Sequence, residues 1–115
     1  MIAGIWLPLA DSDEPGGQHY REVLQKYSPN TPIGTSSEQG YAVAEMTAEV
    51  LRRTGRDLTR SNAIAAAEKI QDFNGDLVKG ASFSETDHQG LKSDGIAQVQ
   101  NGKWIQIEPI HRLDQ

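Results

Sequence analysis

The longest amphipathic stretch of the chain runs from Ser36 to Gly55 and predicts one long helix. Ser36 is a favoured N-cap residue, Gln39 stands three positions later as in a capping box, and Gly55 can end the helix. Apolar residues recur at three- and four-residue spacing on one side of this stretch, namely Val43, Ala44, Met46, Ala48, Val50 and Leu51. Because most helix stability in proteins comes from packing, the rest of the chain is expected to cover this apolar stripe.

A continuous apolar run, Ile2 to Leu7, lies near the N-terminal end of the sequence and is ended by Pro8. Such a run predicts a strand buried on both faces, the type found inside parallel sheets. No second run of this kind follows. The strand is therefore expected to lack a parallel partner within the chain.

Two shorter helices are predicted on either side of the long one. The first spans Gly17 to Tyr27, where apolar and aromatic residues recur at helical spacing and Pro29 follows. The second spans Arg60 to Gln71, and either Asp57 or Thr59 caps it.

A β-hairpin is predicted near the C-terminal end of the sequence. Its strands, Ile96–Gln100 and Lys103–Ile107, flank Asn101-Gly102, a dipeptide that strongly favours a two-residue turn. In this register Val99 lies opposite Trp104. Because a two-stranded hairpin alone is marginally stable in water, this one is expected to dock on another element.

Composition and charge narrow the class of protein. The 115 residues allow one domain at most, with 37% hydrophobic residues and no cysteine for a disulfide or a thiolate metal site. The net charge of −5 argues against nucleic-acid binding, which normally needs a clustered basic face. The dense basic cluster of Arg52, Arg53 and Arg56 is explained by the end of the long helix, where cations complement the dipole. The N-terminal residues resemble neither a signal peptide nor a membrane span.

The sequence offers no pattern typical of catalysis or of a bound metal. Asp72, Asn74 and Asp76 alternate like the first ligands of a calcium loop, but Leu77 occupies the place of the turn glycine and Phe83 that of the final glutamate. The three histidines are too far apart in sequence for a helical zinc pair. No serine or cysteine lies in a recognisable nucleophile motif. We therefore predict a protein that is not an enzyme and has neither a metal nor a cofactor.

Four sequence pieces occur together in an order that resembles a known family. They are Gly40-Tyr41 at the helix opening, Asp57-Leu58-Thr59, Phe83-Ser84 followed by Thr86 to Gly90, and Asn101-Gly102-Lys103 in the hairpin. In this order they resemble the C-terminal part of the receptors of branched-chain amino acid ABC transporters, which are periplasmic binding proteins of the type I fold. The resemblance covers nearly the whole chain.

The resemblance implies an α/β fold: a partial type I periplasmic-binding-protein lobe with one parallel-type strand, three helices and a C-terminal β-hairpin. Residues 1–90 would form part of the first lobe, and residues 91–115 a hairpin belonging to the second lobe. The family's receptors are extracytoplasmic. Their two lobes close on a small ligand, usually a branched-chain amino acid, and deliver it to an ABC permease in the membrane.

Tyr41 is the position that the resemblance marks as ligand-binding, because similar receptors often place a cleft-lining tyrosine at the start of this helix. The alternative is that Tyr41 packs on the loop from Pro29 to Pro32. The loops that hold a ligand's carboxylate and the acid that holds its amine have no counterpart in this sequence. The chain is therefore expected to be a fragment or truncated relative of such a receptor, and not to bind amino acids tightly by itself.

The expected partners follow from the elements left without neighbours. Because the strand and the hairpin lack predicted partners in the chain, we expect a homo-oligomer with paired edges or exchanged segments. The alternative function is a stand-alone small-ligand sensor, or an adaptor that grips a protein partner with the same helices.

Overall fold

The computed structural model describes residues 1–113 as a mixed α/β chain, and Asp114 and Gln115 lie outside the described residues. In chain order the elements are β1 (Ile2–Ile5), α1 (Pro15–Tyr27), α2 (Thr35–Thr54), α3 (Arg60–Ala67), β2 (Ser93–Gln100) and β3 (Lys103–Arg112). The predicted set of three helices and a C-terminal hairpin is confirmed. Within residues 1–113, no helix is both long and apolar enough to cross a lipid bilayer.

The long helix α2 begins slightly earlier than predicted. Its N-cap residue is Gly34 instead of Ser36, and the Ser37 hydroxyl accepts a hydrogen bond from the Gly34 N–H at 3.2 Å. Ser37 is thus the N3 residue of the capping box, the role that the sequence pattern assigned to Gln39. At the other end Gly55, with a φ of 73°, follows the last helical residue as predicted.

The short helix α3 follows Thr59, which was one of the two predicted caps. The Thr59 hydroxyl accepts a hydrogen bond from the Asn62 N–H at 3.2 Å. The helix ends at Ala67, short of the predicted Gln71, because the chain then turns more tightly and carries Ile70 into a fully buried position.

The three strands form one antiparallel sheet in the order β1-β2-β3. This pairing differs from the prediction of a parallel-type strand without a partner in the chain, because Ile2–Ile5 pairs antiparallel with β2. A continuous apolar run indicates burial, but it carries no information on the direction of the neighbouring strand. The burial is also less than predicted, since Ile2 is 63% exposed.

The turn of the hairpin matches its sequence signal. Asn101 and Gly102 have φ angles of 52° and 78°, as a type I′ turn requires, and Val99 lies opposite Trp104 as predicted.

The outer strand β3 becomes irregular beyond the first pairs. Ile107 is an extra residue in a β-bulge, so that Glu108 and not Ile107 lies opposite Ile96. Pro109 is tolerated in β3 because this strand is at the edge of the sheet. Both features discourage a further strand from pairing with this edge.

The hydrophobic core lies among α1, α2 and the segment 70–91, and not within the sheet. The largest fully buried side chains are Tyr20, Ile70, Leu77 and Val78. In the part of the chain that the structure describes, no residue of β1, β2 or β3 belongs to the main core cluster or packs against it. The sheet therefore extends from the side of the core instead of forming one of its layers.

The predicted apolar stripe of α2 is covered only in part. Ala42 is buried and Met46 is partly buried, but Val43 is 63% exposed and Leu51 is 46% exposed. The accessible surface of the chain is 7695 Å², about 1,500 Å² more than is typical of a folded monomer of its mass. The radius of gyration of 15.6 Å likewise exceeds the value of about 13 Å for a compact chain of this length.

Two glycine substitutions test the local backbone assignments. Gly102→Ala places a side chain at positive φ in the turn and is expected to lower the free energy of unfolding by about 1–2 kcal/mol. Gly40→Ala lies inside α2 with no atom near the new methyl group, and is expected to raise it by about 0.5–1 kcal/mol. Urea denaturation followed by circular dichroism measures both, and effects of equal sign would contradict the assignments.

Candidate functional site

Tyr41 lies near the start of α2 and joins two other segments of the chain. Its hydroxyl donates a hydrogen bond to Asp76 Oδ2 at 2.7 Å, and His19 Nδ1 of α1 lies 2.6 Å from the same oxygen. The ring of Tyr41 meets the buried ring of Tyr20 edge-on, with 5.5 Å between centroids. We call Tyr41, Asp76, His19 and Tyr20 the Tyr41 cluster. The structure thereby brings together Tyr41 and Asp76, which sequence analysis treated separately.

The electrostatics of the Tyr41 cluster determine the ionisation of Tyr41 and Asp76. Partial burial favours the neutral form of Asp76, but the hydrogen bonds from Tyr41 and His19 outweigh it and hold the pKa of Asp76 below its ordinary value. Burial, followed by the hydrogen bond to Asp76, raises the pKa of Tyr41 well above its ordinary value. At neutral pH the cluster therefore consists of a carboxylate and a neutral phenol. A phenol held in this way can orient a ligand but is a poor acid or base.

A second carboxylate of α2 holds the turn that carries Asp76. Glu45 lies one helical turn after Tyr41, and its Oε2 accepts a hydrogen bond from the Leu77 N–H at 3.1 Å. Burial raises the pKa of Glu45, although bonds from the backbone N–H groups of the turn oppose this effect. α2 thus holds the side chain of Asp76 through Tyr41 and the adjoining backbone through Glu45.

An open groove of about 600 Å³ runs beside α2, and we call it the apolar groove. Its principal side chains are apolar or aromatic and come from α2, the residue that follows β1 and the segment 78–91: Trp6, Val43, Met46, Val50, Phe83 and Leu91. None of the residues that line it, all of them in the described part of the chain, is ionisable. The groove lacks the charged groups that would hold an amino acid's ammonium and carboxylate.

Glu38 is a buried acid that the sequence analysis missed. It lies in α2 with 3% of its surface exposed, and its Oε1 has no hydrogen-bond partner among the described residues. It lines a small cavity of about 90 Å³ against the segment 4–9. Burial, assisted by the charge of Asp11 and opposed by that of Arg21, raises the pKa of Glu38 to about 7. No sequence signal reveals it, because acidic residues are favoured in the first turns of exposed helices.

Glu49 is a second buried acid of α2 and, unlike Glu38, it has charged partners. It is buried to a similar degree, with 8% exposed, but Arg52 and Arg53 both form ion pairs with it. The Arg53 Nε lies 2.6 Å from Glu49 Oε1. The two arginines therefore neutralise a buried acid in addition to their predicted place at the helix end.

A family profile described as Periplasmic binding protein matches residues 2–103. Since the match covers most of the chain, the chain belongs to the periplasmic binding protein family. None of the curated proteins that were compared matches it.

Three solved structures share the fold. The branched chain amino acid ABC transporter from Thermus thermophilus with bound valine has 17% identity and a TM-score of 0.83. The possible leucine/isoleucine/valine-binding protein from Rhodopirellula baltica has 23% identity and a TM-score of 0.81. The fatty acid ABC transporter substrate-binding protein from Thermomonospora curvata has 19% identity and a TM-score of 0.79. The predicted resemblance to periplasmic binding proteins is thus confirmed in fold and family.

The chain spans about a third of the length of these relatives. The three matches cover 96%, 93% and 96% of this chain, but only 33%, 29% and 30% of the matched proteins. The mixed α/β architecture is therefore that of part of a binding-protein lobe.

Glu38→Gln tests whether the buried acid is ionised in the folded chain. A folded-state pKa above the unfolded value means that ionisation disfavours folding, so stability present below pH 4.5 is lost as pH rises through about 7. The loss amounts to at most about 3 kcal/mol. Glu38→Gln is therefore expected to be more stable than the parent at pH 8 and to show little change between pH 5 and 8 in urea denaturation.

Glu49→Gln provides the matched control. Because it removes a paired acid, it is expected to destabilise the chain at both pH values. A Glu38→Gln variant that is less stable than the parent at pH 8 would contradict the assignment.

Proposed function

We propose that the chain is the C-terminal part, or a truncated relative, of an extracytoplasmic receptor that binds a small amino acid of the branched-chain type for uptake through an ABC permease. The observation that carries this proposal is the fold match over 96% of the chain to a branched chain amino acid ABC transporter, together with the family match over residues 2–103. The role of this chain is ligand binding and not catalysis. It requires no cofactor.

The proposed ligand contact is Tyr41, as part of one wall of the receptor cleft. Its ring is held by Tyr20 and its hydroxyl proton is directed at Asp76, so the phenol has one orientation. A tyrosine hydroxyl that donates one hydrogen bond keeps acceptor capacity. The free lone pair is suited to accept a bond from a ligand's ammonium or a water bound to it.

The proposed division into lobes follows the sequence-based boundary with one refinement. The sequence-based boundary gave residues 1–90 to the first lobe and residues 91–115 to a hairpin of the second, and we keep it for residues 6–115. Because Ile2–Ile5 pairs with β2, we assign this strand to the same sheet as the hairpin. The segment between β1 and α1 then forms one crossing between the lobes, and the segment before β2 forms another.

We also propose that the isolated chain does not bind amino acids tightly and associates with itself. The three matches leave about two thirds of each relative unrepresented, and the sequence has no counterpart of the loops that hold a ligand's carboxylate. The short strand β1 leaves one sheet edge unpaired within residues 1–113, and the bare face of α2 exposes further apolar surface.

A stand-alone sensor of a small apolar ligand is the second candidate function. The apolar groove favours it, because its volume of about 600 Å³ lies within the range of small-molecule sites. The structural match to a fatty acid ABC transporter substrate-binding protein is a reason to include such a ligand among the probes.

Isothermal titration calorimetry of the purified chain with L-valine, L-leucine and laurate separates these proposals. We expect no binding to any of them at tens of micromolar, because the chain supplies only one part of a cleft. Micromolar affinity for valine or leucine would contradict the proposal that the chain is incomplete. In that event, loss of binding in Tyr41→Ala but not in Tyr27→Ala, whose side chain is 74% exposed, would locate the site at Tyr41.

A further inference from the structure

A small cavity separates the start of α2 from the segment 4–9, and we call it the Glu38 cavity. Its volume is about 90 Å³, more than one water molecule needs. The polar side chains that line it are Thr35, Glu38 and Gln39, all in the first turns of α2. Thr35 and Glu38 are three positions apart and therefore project from the same face of the helix. The cavity thus has one polar wall, supplied by the helix.

Glu38 is buried in this wall without a direct partner of opposite charge. Its surface is 3% exposed, and its Oε1 has no hydrogen-bond partner among the described residues. The charges of Asp11 and Arg21 both act on it. The Arg21 guanidinium, however, donates its hydrogen bonds to the carbonyl oxygens of Ala10 and Ser12, at 2.8 and 2.9 Å. Above its pKa of about 7, Glu38 is therefore a buried charge that no side chain of the described segments pairs.

Glu49 shows how α2 treats a buried acid that is paired. It is 8% exposed, and both Arg52 and Arg53 form ion pairs with it. Burial of a charge without such a partner is strongly unfavourable. The Glu38 cavity therefore favours an occupant that carries positive charge and is small enough for about 90 Å³.

The lining side chains indicate the class of this occupant. Thr35, Glu38 and Gln39 offer a hydroxyl, a carboxylate and an amide oxygen, and the lining residues, all of them described, include no imidazole or thiolate. Oxygen ligands suit hard cations, whereas zinc and copper are bound through nitrogen and sulfur. Calcium takes about six to eight oxygen ligands, usually with several carboxylates, but Glu38 is the single carboxylate of the lining. One positive charge balances it.

We propose that the Glu38 cavity binds a small monovalent cation of the Na⁺ or K⁺ class, with the Glu38 carboxylate as its counter-charge and the side-chain oxygens of Thr35 and Gln39 as further ligands. The bound ion joins the start of α2 to the segment that leads from β1 to α1. It recovers part of the stability that the ionised, unpaired acid costs the folded chain. The inference concerns residues of this chain alone and does not depend on the proposed function.

Urea denaturation of the purified chain at pH 8 in matched chloride salts tests the proposal. Sodium, potassium and tetramethylammonium chloride at about 200 mM screen surface charges equally, but the methyl groups of tetramethylammonium keep its charge away from oxygen ligands. We expect the equilibrium constant for unfolding to be at least about threefold lower in sodium or potassium than in tetramethylammonium. Glu38→Gln is expected to abolish this difference. Glu22→Gln, which removes the same charge from an exposed position on α1, is expected to keep it.

Three results would overturn the proposal. The first is equal stability of the parent chain in the three salts, which would make water the occupant of the cavity. The second is a sodium or potassium effect of the same size in Glu38→Gln, since the ion would then act elsewhere. The third is loss of the effect in Glu22→Gln as well, which would make it a response to net charge. Circular dichroism of both variants checks that they are folded before urea is added.

Discussion

The arrangement of the chain depends on how much of the apolar surface of α2 is buried by other segments. One side of the helix makes contacts with the rest of the chain. Ala42 is buried, Tyr41 packs on the ring of Tyr20, and Glu45 accepts a hydrogen bond from the Leu77 N–H. The other side, with Val43 at its centre, borders an open groove. Burial of apolar surface contributes about 25 cal/mol per Å². The uncovered face of α2 therefore does not contribute the stability that its burial would give.

The polar contacts of α2 explain how a chain with so small a core keeps a defined arrangement. Tyr41 and Glu45 fix the segment that carries Asp76, and the Tyr20 hydroxyl bonds to Ser37 at the start of the helix. Each of these bonds satisfies a group that burial would otherwise leave unpaired. Glu38 is the exception on this helix, because its Oε1 lies beside a small cavity without a hydrogen-bond partner among the described residues.

Local features of the fold could be predicted from the sequence, because their causes are local. Asn101-Gly102 specifies its turn through positive φ, and the periodicity of α2 specifies a helix whatever surrounds it. The partner of β1 could not be predicted, since an apolar run does not encode the direction of its neighbour. The contact of Tyr41 with Asp76 joins residues 35 positions apart, and no spacing rule covers such a pair. The family resemblance suggests Tyr41 as a ligand contact, and the structure adds its hydrogen-bond partner.

The central claim is that α2 presents a face that residues 1–113 do not cover. Solvent paramagnetic relaxation of methyl groups in the monomeric chain measures this directly, with Leu58 as an exposed reference and the fully buried Val78 as a shielded one. The account predicts that the Val43 methyl groups relax nearly as fast as those of Leu58. Val43 methyl groups as shielded as those of Val78, in a chain that sediments as a compact monomer, would contradict it.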